Sequence, residues 1–186
     1  MSDLTITTAG ATQTAKSGTQ LGSGKIIRIT PTLDNGTAFA QHDVLCDSTE
    51  IPNAVRVKGG TSKLVRVEIH NHLDTTCDID IVFTEKQANL GTKNSAVGSG
   101  SLWTETLAKA AGFLGVIKFD VSATECDLVN SLTSAWPNSQ LNQPNTMLLQ
   151  GAENSTSVYF AAIDRTGSLD FGNDDLEFVF HIEYLD

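Results

Sequence analysis

Cysteine, proline and aromatic side chains are all scarce in this chain of 186 residues, which holds Cys 3, Pro 4 and aromatics at 6%. Cys46, Cys77 and Cys126 stand far apart and in no CxxC spacing. That usage argues against a disulfide framework or a zinc knuckle, and for small apolar side chains in a protein made in a reducing compartment. No stretch approaches the ~18 consecutive apolar residues that a membrane helix requires. The opening Met1, Ser2, Asp3, Leu4, Thr5 has neither a basic nor an apolar region, so no signal peptide is expected. Positive charge is short as well: Lys and Arg number 12 against 22 Asp and Glu, a formal charge of -10. A field of that sign repels phosphate backbones, so neither nucleic acid nor a membrane is an expected partner.

What is present is the composition of a globular domain. Hydrophobic residues make up 40% and charged residues 18%, with mean hydropathy of -0.08. A single chain of this mass can bury about 70% of its unfolded surface, enough for a core without staples. Residues 1–24 are the exception, because Leu4, Ile6 and Leu21 are their only large apolar side chains. Such a segment cannot bury a core of its own. Leu4, Thr5, Ile6 and Thr7 alternate, which leaves two readings: a mobile terminus, or an arm that adds a strand or tether to a neighbour. Fully extended, it could reach on the order of 80 Å.

From Lys25 onward the hydrophobic period is two. Strands are expected at 25–30 and 39–46, separated by a turn at Asp34, Asn35 and Gly36. The run 63–70 alternates cleanly, with Val65, Val67 and Ile69 predicted to face one way and Arg66, Glu68 and His70 the other. Residues 78–83 repeat the pattern, so 63–84 reads as a hairpin with a longer loop. Further strands are expected at 116–121, 146–150, 157–163 and 175–185. Residues 102–111 are the one helical candidate, inside a Gly-containing stretch at 86–112 that would pack on a neighbour or cover one end of the fold. The expected fold is therefore all-β: a single antiparallel β-sandwich or jelly-roll-like domain over 25–186, with an extended arm at 1–24.

Few constellations carry chemistry. His70 and His72 stand at i and i+2 and would share a face if the strand continued, as in the HxH pair of cupins, with His181 a distant third ligand. The glycine, glutamate and second histidine motif of that family are missing, so surface histidines without a metal are the expectation. No GxSxG setting surrounds any serine. Asp78 with Asp80, and Asp174 with Asp175, offer paired carboxylates but sit at strand starts and turns. The acidic run 167–175 lacks the residue order of a calcium loop and reads as a solvated turn. Trp103 and Trp136 are placed in loops, as partner contacts or as lids on the sandwich.

The order of segments is informative beyond single motifs. A polar arm precedes a strand ending in Thr30 and Pro31. Then come AFAQHDVL at 38–45, IPNAVR at 51–56, and Gly59 with Gly60 before the strand at 64–69. The chain closes with SVYFAAID at 157–164 and DLEF at 175–178. Over roughly 25–186 this resembles a group of small virion structural proteins of tailed bacteriophages, of the capsid decoration or cement type. The resemblance implies a non-enzymatic subunit without cofactors, made in the host bacterial cytoplasm and seated on the outer capsid surface. It also implies two partners: the major capsid protein, and the subunit itself as a homo-oligomer, with a trimer favoured. Leu4, Thr5, Ile6, Thr7, Trp103 and Trp136 are the candidate partner contacts. Two other readings stay open: a tail or host-surface module that binds glycans through its loops, and, more remotely, a cupin-like metal enzyme using His70 and His72.

Overall fold

The computed structural model describes residues 4–8, 11–15, 24–33, 36–73, 75–101, 103–120, 125–127, 132–137 and 146–185. Among them lie twelve strands and one short helix. The strands are β1 (Leu4–Thr8), β2 (Ala11–Ala15), β3 (Gly24–Ile29), β4 (Val44–Ile51), β5 (Thr61–Asn71), β6 (Ile79–Thr84), β7 (Phe113–Phe119), β8 (Glu125–Asp127), β9 (Leu132–Trp136), β10 (Met147–Gln150), β11 (Val158–Asp164) and β12 (Leu176–Tyr184). The helix, α1, spans Glu105–Ala111.

Two antiparallel sheets pack face to face as an all-β sandwich. One sheet runs β3-β12-β5-β9-β8, with β10 also on β5, and the other runs β4-β11-β6-β7. β1 and β2 form a separate two-stranded hairpin. Rings from the two sheets meet across the middle: Phe180 of β12 lies 4.9 Å from Phe160 of β11 and 6.0 Å from Phe83 of β6, both edge-on. Such T-shaped pairs add to the burial of large rings, which dominates core energetics. Leu64, Val67 and Ile69 of β5 and Ile79, Ile81 and Ile117 of the facing sheet complete this layer.

Several sequence expectations are corrected by this topology. Residues 63–84 are not a hairpin, because β5 and β6 belong to different sheets. Both edges of β5 are occupied, by β12 on one side and by β9 and β10 on the other. Asn71 turns the chain out of its sheet: its Nδ2 donates to the Thr75 carbonyl at 2.6 Å and its Oδ1 accepts from Leu73 N at 2.9 Å. Val65 does not face inward with Val67 and Ile69. The register shifts so that His181 pairs with Arg66 and Ile182 with Leu64, leaving Val65 as the extra residue of a bulge. Leu64 is therefore buried and Val65 is 38% exposed.

The second strand is Val44–Ile51 rather than 39–46. His42 sits at a φ of 76°, ending any extended run, and Phe39 keeps only an isolated bridge to Leu169. Trp136 is not in a loop. It pairs with Val67 at the end of β9 and is 2% exposed in the main core. The helix is shorter than 102–111: Thr104 caps its start by accepting from Leu107 N, and Gly112 ends it at a φ of 66°. The stretch after β6 does not cover a sandwich end. It lies on the outer face of the four-stranded sheet, where Leu90, Ala88, Val97 and Trp103 pack with Val44, Val82 and Ala161. One sheet thus has a cover made of its own chain.

Candidate functional site

No such cover lies on the six-stranded sheet among the described residues, and the polar positions of β3, β12 and β5 share its outer face. Their register sets Val179 between Arg28 and Glu68, His181 between Ile26 and Arg66, and Glu177 beside His70. Opposite charges meet across strands and along one: Arg28 Nη1 of β3 donates to Glu177 Oε2 of β12 at 3.0 Å, and within β5 Arg66 Nε donates to Glu68 Oε1 at 2.6 Å. His70 sits between the two carboxylates, with Nδ1 3.0 Å from Glu177 Oε2 and Nε2 3.5 Å from Glu68 Oε2. His181 Nε2 lies 3.7 Å from Glu68 Oε1, too far for a hydrogen bond, and has no hydrogen-bond partner. Burial pushes the Glu68 carboxyl up, but the bond and charge of Arg66, with help from His70 and His181, win and hold it below its usual range.

This lattice has a packing role. Val179 points outward from the middle of the sheet and is nevertheless 0% exposed. Its cross-strand neighbours Arg28 and Glu68 have long apolar stems of the kind that cover a buried side chain while the charge stays in water. At the β3 end this shielding stops. Ile26 is 58% exposed beside His181, and the bulge turns Val65 outward on the same face.

A second polar constellation joins the turns at one end of the sandwich. Asp164 is fully buried, and its carboxylate accepts from Thr166 N at 2.8 Å and Gly167 N at 3.0 Å. Asp43, also buried, accepts from Ala40 N at 2.8 Å. The two turns are tied by backbone bonds, His42 N to the Asp164 carbonyl at 2.7 Å and Asp164 N to the Asp43 carbonyl at 2.9 Å. Desolvation pushes the Asp164 carboxyl up, the amides of Thr166 and Gly167 pull it back, and nearby Asp43 adds to the rise. Asp80 is raised too, chiefly by burial, against the pull of Arg165, whose Nε is 3.7 Å away. Each carboxylate of the Asp43 and Asp164 pair caps a turn of its own, which is the work of a structural clasp.

The residues singled out from the sequence do not converge. His70 joins the lattice, but β5 ends at Asn71, so His72 falls in an exposed turn, its backbone N–H donating to the Asp175 carbonyl at 2.8 Å. The expected shared face of His70 and His72 is thereby corrected. Among the described residues no group of three or more His, Cys, Asp and Glu is gathered closely enough to hold a metal. Trp136 offers no ring to solvent, and Trp103 is half-buried in the cover over the four-stranded sheet. Leu4, Thr5, Ile6 and Thr7 lie in β1, whose partner is β2. Cys46 is buried, and desolvation pushes its thiol up to about 12, leaving an unreactive apolar side chain. Cys77 is buried as well.

The clasp and the lattice were missed from the sequence. Asp164, Arg165, Thr166, Gly167 has the form of a turn capped by an aspartate, a signal that could have found half of the clasp. The polar faces of β5 and β12 were visible, but their cross-strand pairing was not. No protein-family model matches the chain and no curated protein matches it.

Proposed function

We propose that this chain is a non-enzymatic virion structural protein, a decoration or cement subunit on the outer surface of a tailed-phage head. Its partners in this reading are the major capsid protein and further copies of itself, a trimer being favoured. The observation that carries it is the unequal covering of the two sheets. The four-stranded sheet is covered by residues of its own chain, whereas the six-stranded sheet presents, among the described residues, a lattice of ion pairs beside exposed Ile26 and Val65. A flat face of fixed charge with an apolar end suits many modest, repeated contacts, and repetition on a lattice makes such contacts collectively strong. The charge of -10 keeps copies soluble before docking and suits a basic capsid surface. The segment order described above supplies the particular particle.

The test is the copy number of the chain per purified particle, by quantitative mass spectrometry against the major capsid protein. Hundreds of copies in simple ratio to the capsid subunit are expected. A handful would move the chain to the tail or portal, and absence from particles would refute the reading.

A further inference from the structure

The N-terminal hairpin and the end of the six-stranded sheet each lack something the other has. β3 closes that sheet: β12 pairs with one edge, and no strand is paired with the other among the described residues. An open edge is a row of backbone donors and acceptors ready to take another strand. Beside it, Gly24, Ile26, Val65, His181 and Ile182 line an open groove of about 530 Å³. Ile26 is 58% exposed there, and the bulge in β5 turns Val65 into the same groove on the far side of His181.

The β1–β2 hairpin has the complementary deficit. It is a two-stranded sheet on its own, and such a hairpin is marginal in water until a third strand or an apolar surface joins it. Within one chain it does not pair with β3. Its tether enters the sheet at Gly24, which lines the groove, and residues 16–23 span up to about 26 Å when extended. That length is enough for the hairpin to reach an edge other than its own.

We propose that the open edge of β3 and the apolar groove beside it receive the β1–β2 hairpin of a second copy of this chain. Strand addition supplies the backbone bonds, and Ile26 with Val65 supplies the apolar contact that fixes the side of attachment. A hairpin exchanged from copy to copy is a head-to-tail contact, which closes a ring when the rotation between copies permits. The inference rests on the self-association part of the reading above and is independent of the particle.

The experiment measures mass in solution by light scattering across a concentration series, for the full chain, for Ile26→Asp in the full chain, and for a chain lacking residues 1–23. Among the described residues the main core runs from Ile27 to Ile182, none of which the shortened chain loses, and circular dichroism checks both variants. Hydrogen exchange of the β3 amides is followed in parallel. The expected result is an oligomer for the full chain and loss of that oligomer in both variants. Protection of the β3 edge amides should fall with it, by about tenfold or more. A full chain that stays monomeric at every concentration overturns the proposal. So does an oligomer that survives removal of 1–23, or β3 protection in a monomer, which would place the hairpin on its own edge. Because purified chain is used, absence from virus particles would refute the capsid reading and leave this one standing, and a monomer abundant on heads would do the reverse.

Discussion

Replacing Asp164 separates the two effects that act on the buried clasp. In Asp164→Ala, the amides of Thr166 and Gly167 lose their acceptor. Each buried N–H left without a partner costs about 1–3 kcal/mol. Thr166 is exposed and Gly167 half-buried, so water reaches these amides and the low end applies, giving a loss of about 2 kcal/mol for the pair. Asp164→Asn keeps one acceptor and should lose about 1 kcal/mol. In a domain of this size 1 kcal/mol moves the melting temperature by about 2–4 °C, so the alanine variant should melt roughly 4–8 °C lower. The assay is urea unfolding of wild type and both variants at several pH values, with slopes compared to confirm a two-state transition. The pH arm carries the sign. Burial raises the folded carboxyl above its usual value, so the folded state holds a proton that the unfolded state has released. Stability therefore falls as pH rises from the unfolded to the folded value, and the advantage of wild type over Asp164→Asn should be larger near pH 4 than near pH 7, to order of magnitude in pH. An advantage that grows toward neutral pH would show that the two amide bonds outweigh desolvation and would refute this account.

Other outcomes follow from the same structure. Glu68→Gln should cost at most about 1 kcal/mol at neutral pH, since its partners are surface ion pairs. Because the folded carboxyl is lowered, that difference should be full above the unfolded value and vanish as pH falls through the folded one, as read by denaturation at acid and neutral pH. Phe180→Ala removes a ring that touches both Phe83 and Phe160, and should cost about 3–5 kcal/mol in urea unfolding. Gly112→Ala should destabilise by about 1 kcal/mol or more by the same measurement, because φ is 66° and the new Cβ would lie 2.7 Å from the Glu85 carboxyl.

Individual residues show where sequence reading works and where it stops. The strand expected at 175–185 forms as β12 with Leu176, Phe178, Phe180 and Ile182 buried, because side chains on a strand alternate without reference to a partner. Val65 was misplaced because a bulge is set by the strand opposite: only the pairing of His181 with Arg66 and of Ile182 with Leu64 reveals the extra residue. The turn after Asn71 looks alike whether it returns to the same sheet or crosses to the other, so strands near in sequence were joined wrongly as a hairpin. Trp136 was read as a loop residue because Leu132–Trp136 is short and ends at Pro137, yet the edge of β5 recruits it as a strand. The lattice of Arg28, Glu177, His70 and Glu68 needs residues from three strands, and no local pattern brings them together.

The pairing of β3 with β12 also governs when the domain can exist at all. Arg28 and Glu177 are 149 positions apart in the chain, yet they are neighbours across one strand pair. β12 is the bridge between β3 and β5, so β3 stays detached from the rest of the six-stranded sheet until β12, ending at Tyr184, has left the ribosome. Closing so long a loop is slow, and it must precede the contacts that reward it. During that interval the partly made chain carries open edges on both sides of the gap, the condition in which nascent β proteins meet chaperones or one another. A nascent chain stopped anywhere before β12 thus lacks the strand that joins β3 to the rest of its sheet.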